Sequence, residues 1–305
     1  MTIAVSSNLK VANVCAIIIS YFPDAGFAER LRNILIQVDR VIIINNGSVT
    51  SLSQALGEFL SNEQVVLIQN YQNYGVAKAL NQGISRAAAE GYLWVWSLDQ
   101  DTIAPEEILH KLIRYYCTHY LNQKIGIIAP NYYDINSGYY CIDPGRQGSY
   151  FEMLTVITSG SLVKLSAFYD VGEFNERFFI DCVDDDYCLR MREKNYKVVL
   201  VKDAVINHKI GLATRHRLFN RTVITTNHPP LRRYYWSRNG FSLVFRYILK
   251  DPLLAAGILK SHIITIIVTL LFEKQRVKKL KYLFLGAFDA ICNKFDRSLV
   301  DGELE

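Results

Sequence analysis

The sequence predicts an α/β protein built on a doubly wound, mostly parallel sheet. Three observations carry that prediction. Short apolar runs rich in β-branched residues recur at 14–20, 41–44, 65–69 and 93–98. Segments with helical spacing of apolar residues stand between them on short connections. Polar residues close the runs at Ser20-Tyr21, Asn45-Asn46 and Asp99-Gln100-Asp101, where open α/β sheets bind ligands.

Val14–Ser20 (VCAIIIS) is continuously apolar, the pattern of a strand buried on both faces. Residues 27–38 place Phe27, Leu31, Ile34, Leu35 and Val38 on one helical side. The run at 41–44 ends in Asn45-Asn46-Gly47-Ser48, a turn signal. A helix is expected around 50–60, a strand at 65–69, an Ala- and Leu-rich helix at 76–89 and a fourth strand at 93–98. A helix over 105–116 is expected to carry Pro105 in its first turn, with Glu106 and Glu107 near the positive end of its dipole. A strand follows at 125–129, and 131–150, rich in Tyr, Gly, Asp and Asn, reads as a long functional loop. Ser159-Gly160-Ser161 marks a tight backbone approach. The segment from Phe178 opens a helix with acids at its start, and 197–201 and 204–208 read as two short strands.

At 305 residues the chain allows one large domain with an appendage. Residues 1–10 are polar and the next apolar run is short, so no secretory leader is expected. The six cysteines lack Cys-x-x-Cys or zinc-like spacing, so free thiols in a reducing cytoplasm are expected. Charge is uneven. Residues 204–282 hold fifteen Lys or Arg against Asp251 and Glu273, a surplus of +13, which leaves −8 of the chain's +5 for the remainder. An anionic partner is expected for that basic part, a membrane surface, lipid phosphate or nucleic acid.

Residues 253–272 are almost wholly apolar and long enough to span a bilayer. Yet Lys260 and His262 sit near the middle, where a Lys costs about 2.5–3.5 kcal/mol. Val277, Leu280, Phe284, Ala287, Phe288 and Ile291 then form a helical stripe opposite Lys278, Lys279 and Lys281. That is the pattern of a helix lying in a membrane interface, which favours lipid over nucleic acid. A helical subdomain packed on the sheet is the plainer alternative.

The chemistry concentrates in a few places. Trp94 to Thr102 (WVWSLDQDT) is an apolar run ending in Asp99 and Asp101. At a strand's carboxyl end such a pair suits Mg²⁺ or Mn²⁺, which usually also hold substrate phosphates. A polar strand-to-helix cap would use the same residues. Asp184-Asp185-Asp186 offers a candidate base, or ordinary capping of the helix behind it. Gly75 leads into a helix with Lys78 and Asn81, which suits a phosphate or plain helix packing. His208, just after a strand, is a candidate third ligand to metal or phosphate.

Taken in order, these residues resemble family 2 glycosyltransferases with the GT-A fold. The matches are Ser20-Tyr21, Asn45-Asn46-Gly47-Ser48, Asn73 to Gly83, Asp99-Gln-Asp101, Ser159-Gly160-Ser161 and Val183-Asp184-Asp185-Asp186, over roughly residues 13–210. Finer details resemble the bacterial rhamnosyltransferase branch: Ser-Leu-Asp-Gln-Asp-Thr, Phe-Phe-Ile-Asp-Cys-Val-Asp, His208-Lys-Ile-Gly211 and Arg233-Tyr-Tyr-Trp-Ser-Arg-Asn239. The resemblance implies metal-dependent, inverting transfer from dTDP-β-L-rhamnose to a polyprenyl-diphosphate-linked glycan of O-antigen or capsule. The enzyme would work at the cytoplasmic face of the bacterial inner membrane, with no nucleic-acid partner. It implies a nucleotide-sugar site of Ser20, Tyr21, Asn45, Asn46, Asn73, Gly75, Lys78, Asp99 and Gln100. Asp99, Asp101 and His208 would hold Mg²⁺ or Mn²⁺, and Asp184 would be the base. Ser159, Gly160, Asp181, Asp185, Asp186 and Trp236 would border the donor and acceptor sugars. The implied division is a catalytic domain over 1–210, with a nucleotide-sugar half at about 13–104 and an acceptor half at about 105–210. A basic, helical, membrane-associating region would occupy 211–305.

Two positions depart from the family pattern. Asn45 stands where Asp is usual, and Val183 stands where a Glu usually precedes the base. Other readings are a family 2 transferase using a UDP-hexose, a haloacid-dehalogenase-like phosphatase and a non-catalytic membrane adaptor. Leu98-Asp-Gln-Asp-Thr102 fits the phosphatase signature, but that motif normally lies on the first strand and here three precede it. An adaptor would have had no need to keep Asp101 and Asp184.

Overall fold

Each of the four apolar runs forms a parallel strand of one sheet. The structure is a computed structural model and describes residues 11, 13–119, 123–209, 211–218 and 221–296. The chain divides into two compact units, Met1–Asn175 with Asp184–His208, and Glu176–Val183 with Lys209–Glu305.

The first unit contains, in chain order, β1 (Val14–Ser20), α1 (Phe27–Leu35), β2 (Val41–Asn45), α2 (Val49–Leu56) and a 3₁₀ turn at Gly57–Ser61. Then come β3 (Val65–Gln69), α3 (Gly75–Ala89), β4 (Trp94–Asp99), α4 (Ile108–His119), β5 (Ile125–Asp134), β6 (Tyr139–Tyr140) and β7 (Tyr150–Glu152). β8 (Leu162–Lys164), α5 (Leu165–Val171), α6 (Val183–Glu193) and β9 (Lys197–His208) complete it. The sheet order is β3-β2-β1-β4-β8-β5-β9-β7, with β6 paired to β5. β1 to β4 are mutually parallel and β5 is parallel to β9, while β8 runs antiparallel between β4 and β5.

β1 is flanked by β2 on one side and β4 on the other. Successive crossovers therefore leave it in opposite directions, and a crevice opens at its carboxyl end. Ser20 is in register with Asn45, and Ile19 with Asp99. Val14 to Ile18 are buried on both faces of the sheet, each large apolar side chain contributing on the order of 1.5–3 kcal/mol. A Cβ on Gly83 would come within 2.5 Å of Ile17 Cγ2, so that glycine lets α3 lie flush on β1.

Two expected elements differ. α4 begins at Ile108, and Pro105 lies ahead of it. The buried Gln37 supplies the cap from α1's exit: its Oε1 accepts from Leu109 N–H at 3.1 Å and its Nε2 donates to Pro105 O at 3.1 Å. The two short strands expected at 197–201 and 204–208 are one strand, β9, with a register shift opposite Pro130/Asn131. Pro130 has no N–H to give the ladder, so pairing is interrupted there and resumes beyond. The expected loop at 131–150 is partly ordered by β6 and by Asn131, whose side chain bonds both N–H and C=O of Ile142.

The second unit holds the hairpin β10 (Thr214–Leu218) and β11 (Arg221–Thr225), then α7 (Pro230–Tyr247), α8 (Pro252–Phe272) and α9 (Arg276–Ile291). α7 and α9 pack through Tyr234, Tyr235 and Tyr282. α8 is long and apolar enough to cross a membrane, and only 17% of its apolar window is buried. Its His262 turns inward and stacks on Trp236 at 4.0 Å, while Ile263, Ile267, Leu270 and Leu271 face outward. On α9 the apolar positions Val277, Phe284, Phe288 and Ile291 are exposed. Lys279, expected on the polar face, is instead buried against Glu273 at 2.7 Å, because a buried carboxylate needs a cation.

Candidate active site

A turn and a bridge assemble the site. At the end of β4 the chain folds back, with Thr102 N–H donating to Asp99 O and Asp99 N–H donating to Thr102 Oγ1, both at 3.2 Å. The buried Thr102 hydroxyl shares a short hydrogen bond with Ser159. Ile103 then exchanges two backbone hydrogen bonds of 3.2 Å with Asn207, which draws the end of β9 alongside. His208 is the next residue. One ring nitrogen of His208 and one carboxylate oxygen each from Asp99 and Asp101 lie within 4.8 Å of one another. His208 Nδ1 is buried and has no hydrogen-bond partner among the described residues. An imidazole beside two carboxylates is a donor set that fits a divalent cation.

Gln100 ties that turn to β1. Its Oε1 accepts from Tyr21 N–H at 2.7 Å and its Nε2 donates to Tyr21 O at 3.0 Å. Arg30 Nε donates to Gln100 O at 2.8 Å and its guanidinium pairs with Asp24 at 2.6 Å. Gln100 is thus a strut between two strand ends. Arg30 is a supporting residue that the sequence reading missed, since its partner is a backbone carbonyl on a distant turn.

The asparagines of the neighbouring loops are engaged inside the fold. Asn45 Nδ2 donates to Gly47 O, Ser48 O and Gln69 Oε1, at 3.2, 3.2 and 2.7 Å. Asn46 Nδ2 donates to Gly75 O at 3.1 Å and its Oδ1 accepts from Asn70 at 2.8 Å. Asn73 Oδ1 accepts from Gly75 N–H at 2.9 Å, and Gly75, at φ +82°, opens α3. Ser20 is fully buried and its hydroxyl has no hydrogen-bond partner among the described residues, whereas Tyr21 is exposed and Lys78 half-buried in the first turn of α3. Asn81 clasps both N–H and C=O of Phe174, at 2.9 and 3.0 Å.

Gly160, at φ +80°, donates to Ser97 O at 2.7 Å and accepts from Trp96 Nε1 at 3.0 Å. A Cβ there would lie 2.7 Å from Pro130 Cγ, so the position admits only glycine. The three adjacent acids have different surroundings. Asp186 is buried and pairs with Arg190 one turn on at 2.8 Å. Asp185 is half-buried, and its N–H donates to Asp184 Oδ1 at 3.1 Å. Asp184 lines a small pocket with Thr158, Ser161, Phe174, Tyr187 and Cys188. Burial pushes the Tyr187 phenol and the Cys188 thiol well up, so neither ionises near neutrality. Asp184 is the carboxylate of that pocket.

In the second unit, Asp181 and Cys182 are consecutive left-handed residues at φ +64° and +57°. Each costs on the order of 1–3 kcal/mol, so the surroundings must hold them. Arg232 forks onto the Asp181 carboxylate at 2.7 and 3.3 Å, and Asn239 Nδ2 donates to Ile180 O and Asp181 O at 2.9 and 2.8 Å. Trp236, half-buried, is engaged with His262.

Residues 15–164, from β1 to the end of β8, match the model of Glycosyl transferase family 2. The chain is 28% identical over 297 residues to the dTDP-rhamnosyl transferase RfbF of Shigella flexneri, covering 92% of this chain and 96% of that one. It is 26% identical over 125 residues to the poly-beta-1,6-N-acetyl-D-glucosamine synthase of Staphylococcus aureus (strain COL), 40% of this chain and 29% of that one. In fold it is similar to S. aureus TarS 1-349 in complex with UDP-GlcNAc, with TM-score 0.63, 11% identity and coverage of 93% and 88%. It is also similar to the mannosyltransferase PcManGT from Pyrobaculum calidifontis in complex with GDP-Man and Mn²⁺, with TM-score 0.59, 13% identity and coverage of 92% and 88%. The fold is GT-A-like, mixed α/β on a mostly parallel sheet.

Proposed function

Because the chain carries a glycosyl transferase family 2 domain and is a glycosyltransferase, we propose that it moves L-rhamnose from dTDP-β-L-rhamnose, in a metal-dependent reaction, to a polyprenyl-diphosphate-linked glycan. The acceptor would belong to O-antigen or capsule synthesis. The observation that carries the reading is the convergence of Asp99, Asp101 and His208 at the end of β4. The near full-length likeness to a transferase named for dTDP-rhamnose supports the choice of donor.

Asp99, Asp101 and His208 would hold the cation, and the imidazole in the set favours Mn²⁺ over Mg²⁺. A divalent ion held there supplies positive charge to the departing diphosphate. Lys78, in the first turn of α3 that Gly75 opens, would meet phosphate oxygens at the positive end of that helix. Ser20 and Tyr21 border the same crevice on β1's side. Gln100, Asn45 and Asn46 serve the donor by fixing these loops. Asp184 takes the proton from the acceptor hydroxyl as that oxygen attacks the anomeric carbon. One displacement with one base inverts the centre, through a state of oxocarbenium character. The exposed apolar residues of α8 and α9, with the surrounding Lys and Arg, would seat the enzyme on the cytoplasmic face of the inner membrane.

The test is a donor screen with Mn²⁺ or Mg²⁺ and a polyprenyl-diphosphate-sugar acceptor, following nucleoside diphosphate release. Turnover with dTDP-rhamnose is expected. Turnover with a UDP-hexose alone would reject rhamnose and keep the family.

A further inference from the structure

The second unit contains a cavity of about 220 Å³ whose lining includes Thr226, His228, Arg233, Trp236, Thr265 and Glu273. Arg233 is 5% exposed, and its Nε, buried, has no hydrogen-bond partner among the described residues. Its other contacts run to Thr226 Oγ1, at 3.2 Å, and to Glu273. Glu273 also receives Lys279 at 2.7 Å. Two buried cations thus share one buried carboxylate, and among the described residues no second carboxylate pairs with the cluster, which keeps one positive charge. An unpaired donor on a buried, net-positive cluster beside a cavity calls for an anion. Burial, with Arg232 and Arg233 nearby, lowers His228 to about 4, so its ring is neutral near pH 7 and keeps an N–H to donate.

The cavity also has an apolar side. Ile264 of α8 lines it and is 49% exposed, so the opening lies beside the outward face that carries Ile263, Ile267 and Leu271. We infer that this cavity binds the phosphate head of a lipid, with Arg233 and His228 as donors and the chain laid along the outer face of α8. Charge complementarity at the head and apolar surface at the mouth together specify an amphiphile rather than a free anion. The inference rests on the lipid-linked acceptor proposed above and gives that acceptor's phosphate a binding site.

The test is calorimetric titration of the full chain in EDTA, so that no metal at Asp101 can hold a phosphate. The probes are farnesyl diphosphate, pyrophosphate and farnesol. Farnesyl diphosphate is expected to bind at least tenfold more tightly than either part alone. Arg233→Gln and Thr265→Phe should each weaken it tenfold or more, while Asp101→Asn binds as the wild type does. Thr265→Phe fills the cavity without touching the charges, so it decides the matter if Arg233→Gln does not fold. Pyrophosphate binding as tightly as farnesyl diphosphate would overturn the lipid in favour of free phosphate. Binding that is absent, or unmoved by both variants, would overturn the site and leave the transferase reading standing. Arg233-dependent binding by an enzyme that transfers to no lipid-linked acceptor would keep the site and sink the acceptor assignment.

Discussion

In the first unit Val14 to Ile18 are buried and Asp99, Asp101 and Asp184 stand at strand and helix ends, half open to solvent. In the second unit Arg233, Lys279, Glu273 and Asp289 are buried, and Ile263, Ile267, Phe284 and Phe288 face outward. The first keeps those three carboxylates where a polar substrate can arrive, and buries Asp186 against Arg190 at 2.8 Å. The second buries charges, with Arg233 and Lys279 both on Glu273 and Asp289 accepting from Tyr234 at 2.8 Å, and leaves apolar surface without a partner among the described residues. An exposed apolar patch of that kind marks a contact surface, and with lysines at its border the occupant we propose is an anionic membrane. Chemistry in the first unit and lipid contact in the second is the division of labour we propose from this contrast.

The contrast can be broken at several points. Asp184→Asn should lower kcat about 10²–10⁴-fold, the usual worth of a positioned base, with dTDP affinity unchanged by calorimetry. Loss of donor binding instead would move Asp184 out of that role. Glu273→Ala should destabilise the chain by about 3–5 kcal/mol in chemical denaturation, because two cations are left buried and unpaired. A surface pair serves as the contrast: Asp24→Ala removes the ion pair with Arg30 in the first unit and should cost under about 1 kcal/mol. Equal costs would contradict the burial assigned to the Glu273 cluster. The double variant Ile267→Glu, Phe288→Glu should weaken sedimentation with anionic vesicles by about tenfold or more at unchanged melting temperature, since each site loses on the order of 1.5–3 kcal/mol of apolar burial.

A smaller effect concerns pH. His228 takes its proton at about 4 in the folded chain, against an ordinary value of 6.5. Between those values the unfolded state binds more protons, so this residue's contribution to stability is present above 6.5, falls as pH drops and is gone below about 4. His228→Gln should flatten the stability profile over that window. An unchanged slope would place the ring in water rather than in the cavity wall.

Much of the first unit was legible because strands buried on both faces leave unbroken apolar runs, as at 14–20 and 41–44. The acid pair at Asp99 and Asp101 was legible for the opposite reason, a sudden break in such a run. What local pattern does not carry is a tertiary partner. The start of α4 depends on Gln37, the continuity of β9 on where Pro130 interrupts its neighbour, and His208's approach on the Ile103–Asn207 bridge. Gln100 illustrates the same limit. Its side chain, expected at the donor, bonds the Tyr21 backbone. In the second unit helical spacing found the outward stripe of α9 but assigned Lys279 to solvent, because charge alone cannot reveal a buried carboxylate such as Glu273.

The proposed transfer depends on the cluster of Asp99, Asp101 and His208. Its most direct test is Mn²⁺ titration followed by electron paramagnetic resonance, with and without dTDP, on the wild type and on Asp101→Asn and His208→Ala. The wild type should retain one ion, more tightly with nucleotide, and each variant should lose affinity by about 10–100-fold or more. Manganese held equally well by all three proteins would contradict the assignment.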